Sequence, residues 1–469
     1  MSIEYITVPA PVQSHLPLLL HITFAAAVAV SRYFTKWLHD GKQGVMIDQG
    51  VNKSPALSAS RRGEFMIVLK NAAVIGGAGE QPGQNTTIVI NGSRIERVGP
   101  DTGLTNGADI VFDLKGRYVM AGLIDAHVHL GGADNLDYPG IGGRHETYDY
   151  LDSRVKALKW GVTAIRSAGD YTPEIFCFRD EVNLCKHISP RIVAAGRMIQ
   201  ARGGHPIYTV FGANETIAAG ATVLADETTD LEKEIGKLVD EGADWIKAVI
   251  SEVNKLDYPA TVPRLSTGQI KLIADTAHKY GKPCMIHVDD ARHMREAAEA
   301  GADSIEHVFS VGATETEIDD DLIELLVKKQ IYVVPTVFSI YAHENPKGSR
   351  ALVYEKLLEQ VNRLIKAGVR IGAGSDSNIP FVSLGESLHD ELSQLVKCGM
   401  TPADAIAAAT SVNAKLLRKE NEIGAVSPGY YADLLVVDGD PARDISNTKN
   451  IYLVIMNGRV LVDNTGKEW

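Results

Sequence analysis

Basic charge is in short supply in this sequence: 47 lysines and arginines stand against 59 acidic residues, a formal charge of -12. A nucleic-acid or anionic-membrane binder would carry a basic footprint, so neither partner is expected. Cysteine is scarce as well. Cys177, Cys185, Cys284 and Cys398 form no CxxC pair and no dense framework, which points to reduced thiols in a reducing compartment. Long apolar runs are missing: residues 16–30 (LPLLLHITFAAAVAV) stop short of the roughly 20 residues that a membrane span wants, and His21 interrupts them. The basic start of an export signal is missing too, because residues 1–15 hold no lysine or arginine. No Gly-rich phosphate turn follows the first central strand, as it would in a doubly wound open sheet.

What is present fits a large barrel with a minor domain. The chain has 469 residues, 45% hydrophobic and 23% charged, ordinary values for a globular protein. Residues 1–65 differ from the rest, and strand-like sequence begins only at Met66. Three readings of that extension stay open: an export or membrane segment, a packed amphipathic piece, or residues upstream of a truer start at Met66. A cytoplasmic protein is expected, with membrane association or export as the alternative that the 16–30 run allows.

From Met66 the pattern is short and alternating, with Asn91-Gly92 as a hairpin signal, and it returns at the far end with Asn457-Gly458. Neither end has strands enough for a domain of its own. Together they predict one small β-sandwich, residues 66–121 and 419–469, with residues 122–418 inserted between. That middle holds eight apolar runs, at 121–130, 161–170, 191–199, 243–251, 284–290, 302–310, 331–339 and 369–377, most separated by an amphipathic stretch. Residues 268–282 and 293–302 read as helices ending in glycine. Eight such units predict a (β/α)8 TIM barrel, with the chemistry at the C-terminal ends of its strands.

Polar groups close several of these runs. His127 and His129 lie two apart on an extended strand, so both rings can reach one ion. Lys247 sits inside the apolar run ADWIKAVI, where a lysine must be neutralised, paired or modified. Reaction with carbon dioxide would give an anionic carbamate able to bridge two cations. His287, His307 and Asp376 close the fifth, sixth and eighth runs.

GLIDAHVHL, GADWIKAVIS, the His287 and His307 strands, GAGSDS and SPGYYADLLVVDGDP resemble, in order and spacing, the motifs of the amidohydrolase superfamily. The resemblance runs from about Met66 to the C-terminus and is strongest to the prolidase-like and imidazolonepropionase-related branch, which includes carboxypeptidase-type and ochratoxin-hydrolysing enzymes. It implies one divalent ion, with zinc expected, on His127, His129, Asp376 and a Lys247 carbamate. A second would sit on the carbamate, His287 and His307. It further implies a bridging hydroxide as nucleophile, Asp376 as general base and then acid, and hydrolysis of an amide bond in a small-molecule or dipeptide-like substrate. A homo-oligomer is expected.

Other residues are less specific. His205 follows strand three where relatives often place a histidine on the substrate carbonyl; the alternative is a loop histidine held by backbone. Arg166 either binds a substrate carboxylate or holds a ligand loop. Asp125 orients a ligand histidine or caps a turn. His293 and His389, on helical stretches, read as surface or interface histidines. The sequence also departs from the pattern: Ser251-Glu252-Val253-Asn254 replaces a Gly-rich segment, which leaves the substrate open, and Ala121 replaces a proline. Two other functions compete, a mononuclear cyclic-amide hydrolase or deaminase and a non-catalytic scaffold. Lys247 argues against the first, and the complete ligand set against the second.

Overall fold

The computed structural model describes residues 65–76, 83–100, 107–131, 150–210, 215–253, 260–309, 313, 315–344, 349–379 and 381–465. The predicted extension therefore lies outside the described residues apart from Phe65.

Strands from both ends of the chain share one sheet. β1 (Met66–Val74), β2 (Gly83–Asn91), β3 (Arg94–Pro100), β4 (Ile110–Asp113) and β5 (Tyr118–Ala121) come from the first end. β16 (Leu434–Val437), β17 (Ile451–Met456) and β18 (Arg459–Asp463) come from the other. The hydrogen-bonded order is β18-β17-β16-β5-β1-β2-β3, with β4 also on β1. β16 pairs antiparallel with β5, from Leu434 opposite Ala121 to Val437 opposite Tyr118, so the join is continuous. Asn457 and Gly458 turn β17 into β18 with φ 49° and 68°, the left-handed pair that a two-residue hairpin of matching twist requires. One face of this sheet buries Ile67, Leu69, Ile88, Ile90, Leu434 and Leu453 in a core of its own.

The middle of the chain is parallel. β6 (Leu123–Val128), β7 (Val162–Ser167) and β8 (Arg191–Ala194) form one sheet. β9 (Met198–Ala201), β10 (Thr222–Ala225), β11 (Ile246–Val249), β12 (Cys284–His287), β13 (Ser304–Glu306), β14 (Tyr332–Val334) and β15 (Arg370–Ile371) form the other, in the order β10-β9-β11-β12-β13-β14-β15. The third apolar run is thus split into β8 and β9 around Gly196, whose φ is 72°. β6, β7 and β11 to β13 are buried along their whole length, as expected of strands covered on both faces.

Hydrogen bonds cross between the two parallel sheets at both edges. On one side Ala126 N–H donates to Ala373 O (3.0 Å), Asp376 N–H to His127 O (2.8 Å) and His129 N–H to Ser377 O (3.1 Å). Asn413 spans the same seam, its side-chain amide donating to both Ile124 O and Ala373 O at 2.7 Å. On the other side Asp244 N–H donates to Ala194 O at 2.8 Å. Gly374 makes the first approach possible: a Cβ there would lie 2.5 Å from Val334 Cγ1 and 2.9 Å from His127 Cβ.

Helices connect the strands, and their ends follow local chemistry. Ser266 and Gln269 make a reciprocal capping box on Thr267–Lys279. Asp230, Asp290 and Asp319 cap Leu231–Glu241, Ala291–Ala300 and Asp320–Lys329. Gly301 ends Ala291–Ala300 at φ 100°, as the sequence predicts. Among the described residues no helix is long and apolar enough to cross a membrane.

Candidate metal centre

The predicted groups converge where the parallel strands end. His127 lies in β6 and His129 one residue beyond it, and strand alternation turns both rings to one side, their centroids 5.5 Å apart. Asp376, on the segment after β15, sets Oδ1 3.4 Å from Nε2 of each. One ligand atom from each of the three lies within 4.8 Å of the others, a spacing that could hold a metal ion. From β12 and the end of β13 come His287 and His307, with ring centroids 4.4 Å apart and His307 5.0 Å from His127. Lys247 on β11 is buried, and its charge acts on both His127 and His307.

The electrostatics suit ligation. Burial, reinforced by the Lys247 ammonium, brings His127 down to about 4 despite the opposing pull of Glu306. Burial and the His287 ring hold His307 well below its ordinary value. Both are therefore neutral imidazoles with a lone pair to give at neutral pH. Burial also works to raise Asp376, but the hydrogen bond from His129, first among its neighbouring imidazoles, holds it well below the carboxylate range. Burial lowers Lys247 to about 8, with Glu306 opposing. Imidazoles, a carboxylate and a buried lysine form a donor set that fits a divalent ion of the zinc type, although the Asp376 contact draws the His129 ring upward against its burial.

Beneath the cluster lies a buried ionic network that the sequence reading passed over. Glu306 Oε2 accepts from His127 Nδ1 at 2.6 Å, which leaves Nε2 of that ring facing the site. Its Oε1 accepts from Arg166 Nη2 at 2.8 Å and from Ser304 Oγ at 2.5 Å. Arg166 also donates from Nε to Ala126 O at 2.6 Å and stacks 4.6 Å from the centre of the Trp245 ring. The signal of Glu306 in the sequence is a carboxylate inside an apolar strand, which, like the Lys247 ammonium, must be neutralised or paired there.

Other supports hold the neighbouring side chains. Asp125 accepts from His127 N–H (3.2 Å), Ser375 N–H (2.9 Å) and Ser375 Oγ (2.5 Å), tying β6 to the Asp376 segment. Burial raises Asp125 to about 7 in spite of these bonds. His129 Nδ1 donates to Gly169 O at 2.9 Å. Thr336 Oγ1 lies 2.6 Å from His307 Nδ1, and Ser339 Oγ donates to Asp376 Oδ2 at 3.1 Å.

His205 follows β9 and stands beside His287, centroids 5.0 Å apart, its Nδ1 2.5 Å from Thr209 Oγ1. Gly204 brings it there: a Cβ on that residue would lie 2.5 Å from Pro263 O. The unusual segment after β11 forms an antiparallel bridge, Val253 to Thr261. Its base is pinned by Glu252, which pairs with Arg264 at 3.3 Å and with Arg292. Ser251 bonds to Asp289, whose Oδ1 is 3.4 Å from His287 Nε2. Of the two positions that the sequence leaves open for His293 and His389, surface or interface, the structure takes the interior one. Both are buried, and His389 bridges Thr448 Oγ1 and Trp160 O at 2.9 Å each, because their helices pack inward on the side that carries them.

The sequence pattern of the amidohydrolase family matches residues 118–461, most of the chain. The chain belongs to the amidohydrolase family. As a member it is a hydrolase, and the family generally uses divalent metals. This amidohydrolase is 26% identical over 444 residues to the ochratoxinase of Aspergillus niger, covering 85% of the chain and 86% of that enzyme. It is 24% identical over 413 residues to the imidazolonepropionase of Chloroflexus aggregans, covering 80% of the chain and 91% of that enzyme. Among solved structures it resembles a Xaa-Pro dipeptidase with methionine bound in its active site, with a TM-score of 0.73, 26% identity and coverage of 85% and 100%. Such neighbours imply a TIM barrel with an attached sheet domain.

Proposed function

We propose that this amidohydrolase hydrolyses an amide C–N bond in a dipeptide-like or N-acyl amino acid substrate at a binuclear metal centre. The observation that carries this reading is the convergence of His127, His129, His287, His307, Lys247 and Asp376 at one end of the parallel strands. In the proposed architecture residues 122–418 close as a (β/α)8 barrel through the Ala126–Ala373 seam, inserted into a sandwich-type domain of residues 66–121 and 419–469.

His127, His129 and Asp376 would hold one divalent ion, with zinc expected, and His287 and His307 a second, with Lys247 between them as a carbamate. Bound ions of this type polarise a scissile carbonyl and acidify water. The carbamate forms when the Lys247 Nζ lone pair bonds to the carbon of carbon dioxide and one amine proton departs, for which the low pKa of the buried amine is favourable. Asp376 accepts the proton of the attacking water and passes it to the leaving nitrogen; the water oxygen ends on the acyl carbon as the C–N bond breaks. Ser339 fixes the rotation of that carboxylate through Oδ2. His205, at the His287 side, is placed to donate to the substrate carbonyl. Of the two roles open to Arg166, its burial against Glu306 and Ala126 O supports the holding one. The likeness to a Xaa-Pro dipeptidase supports a dipeptide-sized substrate.

The test is metal analysis of the purified chain beside a hydrolysis screen of N-acyl amino acids, Xaa-Pro and Xaa-basic dipeptides, lactones and cyclic ureas. Two divalent ions per chain and release of an amine from one of the first three classes are expected. A metal-free chain, or one ion with activity only on cyclic ureas, overturns the reading. Sizing the same preparation tests the expected homo-oligomer.

A further inference from the structure

His307 and Asp376 lie on either side of β14, whose own exit carries no candidate ligand. That exit is nevertheless conformationally unusual. Thr336 follows β14 with φ 48°, a left-handed conformation that β-branched residues avoid. Strain of this kind persists only where the surroundings over-determine it. Here they do. From one side of the turn Thr336 Oγ1 reaches His307 Nδ1 at 2.6 Å, and from the other Ser339 Oγ reaches Asp376 Oδ2 at 3.1 Å. The segment is a brace between two proposed ligands that come from different strands.

The brace opens the helix Val337–Glu344, whose first N–H groups need acceptors. Its own sequence offers none: Pro335 precedes it, and the Thr336 hydroxyl is spent on His307. The acceptor arrives from another helix. Glu391, fully buried on Glu386–Lys397, accepts from Phe338 N–H through Oε2 at 2.7 Å and also from Val337 N–H. A carboxylate at a helix N-terminus normally belongs to the residue just before it; this one lies 53 residues away.

We propose that Glu391 is a positioning residue for the metal centre, a helix cap supplied from a second helix that locks Thr336 and Ser339 against His307 and Asp376. This rests on the metal-centre reading above. Glu391 touches neither ligand and acts only through the brace. What the brace requires is an acceptor oxygen in that place, and an amide oxygen serves as well as a carboxyl one. Burial pushes Glu391 up to about 8, so the neutral amide of Glu391→Gln also matches it in charge at neutral pH.

The test uses the full chain and three variants, E391Q, E391L and the gentler E391D, which withdraws the acceptor by one methylene. Metal affinity is measured by competition with a chelator, and the absorption spectrum of the cobalt-substituted protein is recorded beside a thermal melt. E391Q is expected to keep the wild-type affinity and spectrum. E391L should lose about 10–100-fold in affinity, the range seen when a partner behind a metal ligand is removed, with a changed cobalt spectrum. If E391L does not fold, E391D carries the test and should show the same changes in smaller degree. Thr336→Val, which removes only the hydroxyl, should reproduce the affinity loss. Wild-type affinity and spectrum in E391L or E391D, with only a lower melting temperature, overturn the proposal and leave Glu391 a stabilising cap. E391Q as weak as E391L overturns it as well. A wild-type chain that binds no metal instead sinks the metal-centre reading itself.

Discussion

In the terminal sheet the charges face water. Arg117 pairs with Asp438 at 2.7 Å while the two side chains keep 26% and 57% of their exposure, and Arg94 lies 4.0 Å from the centre of the Tyr431 ring. At the ends of the parallel strands the same residue types go inside. Arg166 and Glu306 pair at 2.8 Å with neither side chain exposed, beside a buried lysine and a buried aspartate. The backbone follows the same division. Left-handed residues in the terminal hairpin are Asn457 and Gly458, which suit the turn, whereas in the centre they are His307, Thr336 and Asp376. The terminal sheet obeys local rules and is explained by them. The strand ends break those rules repeatedly within one small volume, and long-range bonds hold them there, as happens where strain and buried charge serve a site.

Removing the charge that makes the centre unlike the sheet should have the largest effect. If Lys247 is the proposed carbamate, Lys247→Ala is expected to strip the metal ions and abolish turnover, because no neutral side chain replaces an anionic bridging group. Short carboxylic acids, which fit the vacated space, should restore part of the activity. Unchanged metal content in the variant would exclude the carbamate.

Asp376→Asn preserves size and removes the proposed proton acceptor. kcat should fall by about 10²–10⁴-fold, with a smaller loss of metal. Near-normal kcat in steady-state assays would move the base elsewhere, with His205 the next residue to examine.

Arg166→Met compares the two regions directly by stability. It leaves Glu306 buried without its guanidinium, and breaking a buried pair from one side costs about 3–5 kcal/mol. Arg117→Ala in the terminal sheet removes an exposed pair and should cost at most about 1 kcal/mol. Urea unfolding of both variants measures the difference, and equal losses would mean that the two regions do not differ in what their ion pairs contribute.

The smallest effect is expected at His389, where a helix of the central region meets the Thr448 segment. Burial draws this imidazole from 6.5 down to about 4, so between those values the unfolded chain takes up a proton that the folded chain does not. By linkage, stability is then lost as pH falls through that window. The melting temperature of the wild type should drop between pH 6.5 and 4 by a few degrees more than that of His389→Gln. Parallel curves for the two chains would show that His389 does not titrate differently on folding.

Much of the site was legible in the sequence because its ligand candidates are rare residue types set at the ends of apolar runs. His127, His129, Lys247, His287, His307 and Asp376 stand out one strand at a time, each as a polar group where an apolar one would be ordinary. Their supports do not. Asp125 meets Ser375 across 250 residues and Arg166 meets Glu306 across 140; Glu391 reaches Phe338 across 53. No local pattern encodes such pairings, and this is why the sequence leaves two roles open for Arg166 and does not single out Glu306. For His293 and His389 the sequence leaves surface and interface open for a related reason: helical periodicity gives a face but not the neighbour that covers it.

The sequence by itself determined the order of strands and helices, the caps and hairpin turns, and the residue types available for metal chemistry. These depend on alternation, on helical period and on contacts within a few residues along the chain. Only the tertiary structure decided that the two ends join through β16 beside β5, that Glu306 and not solvent orients His127, and that a helix cap from a distant helix braces His307 and Asp376. Those choices rest on which buried donor meets which buried acceptor, and burial, unlike periodicity, exists only once the whole chain has folded.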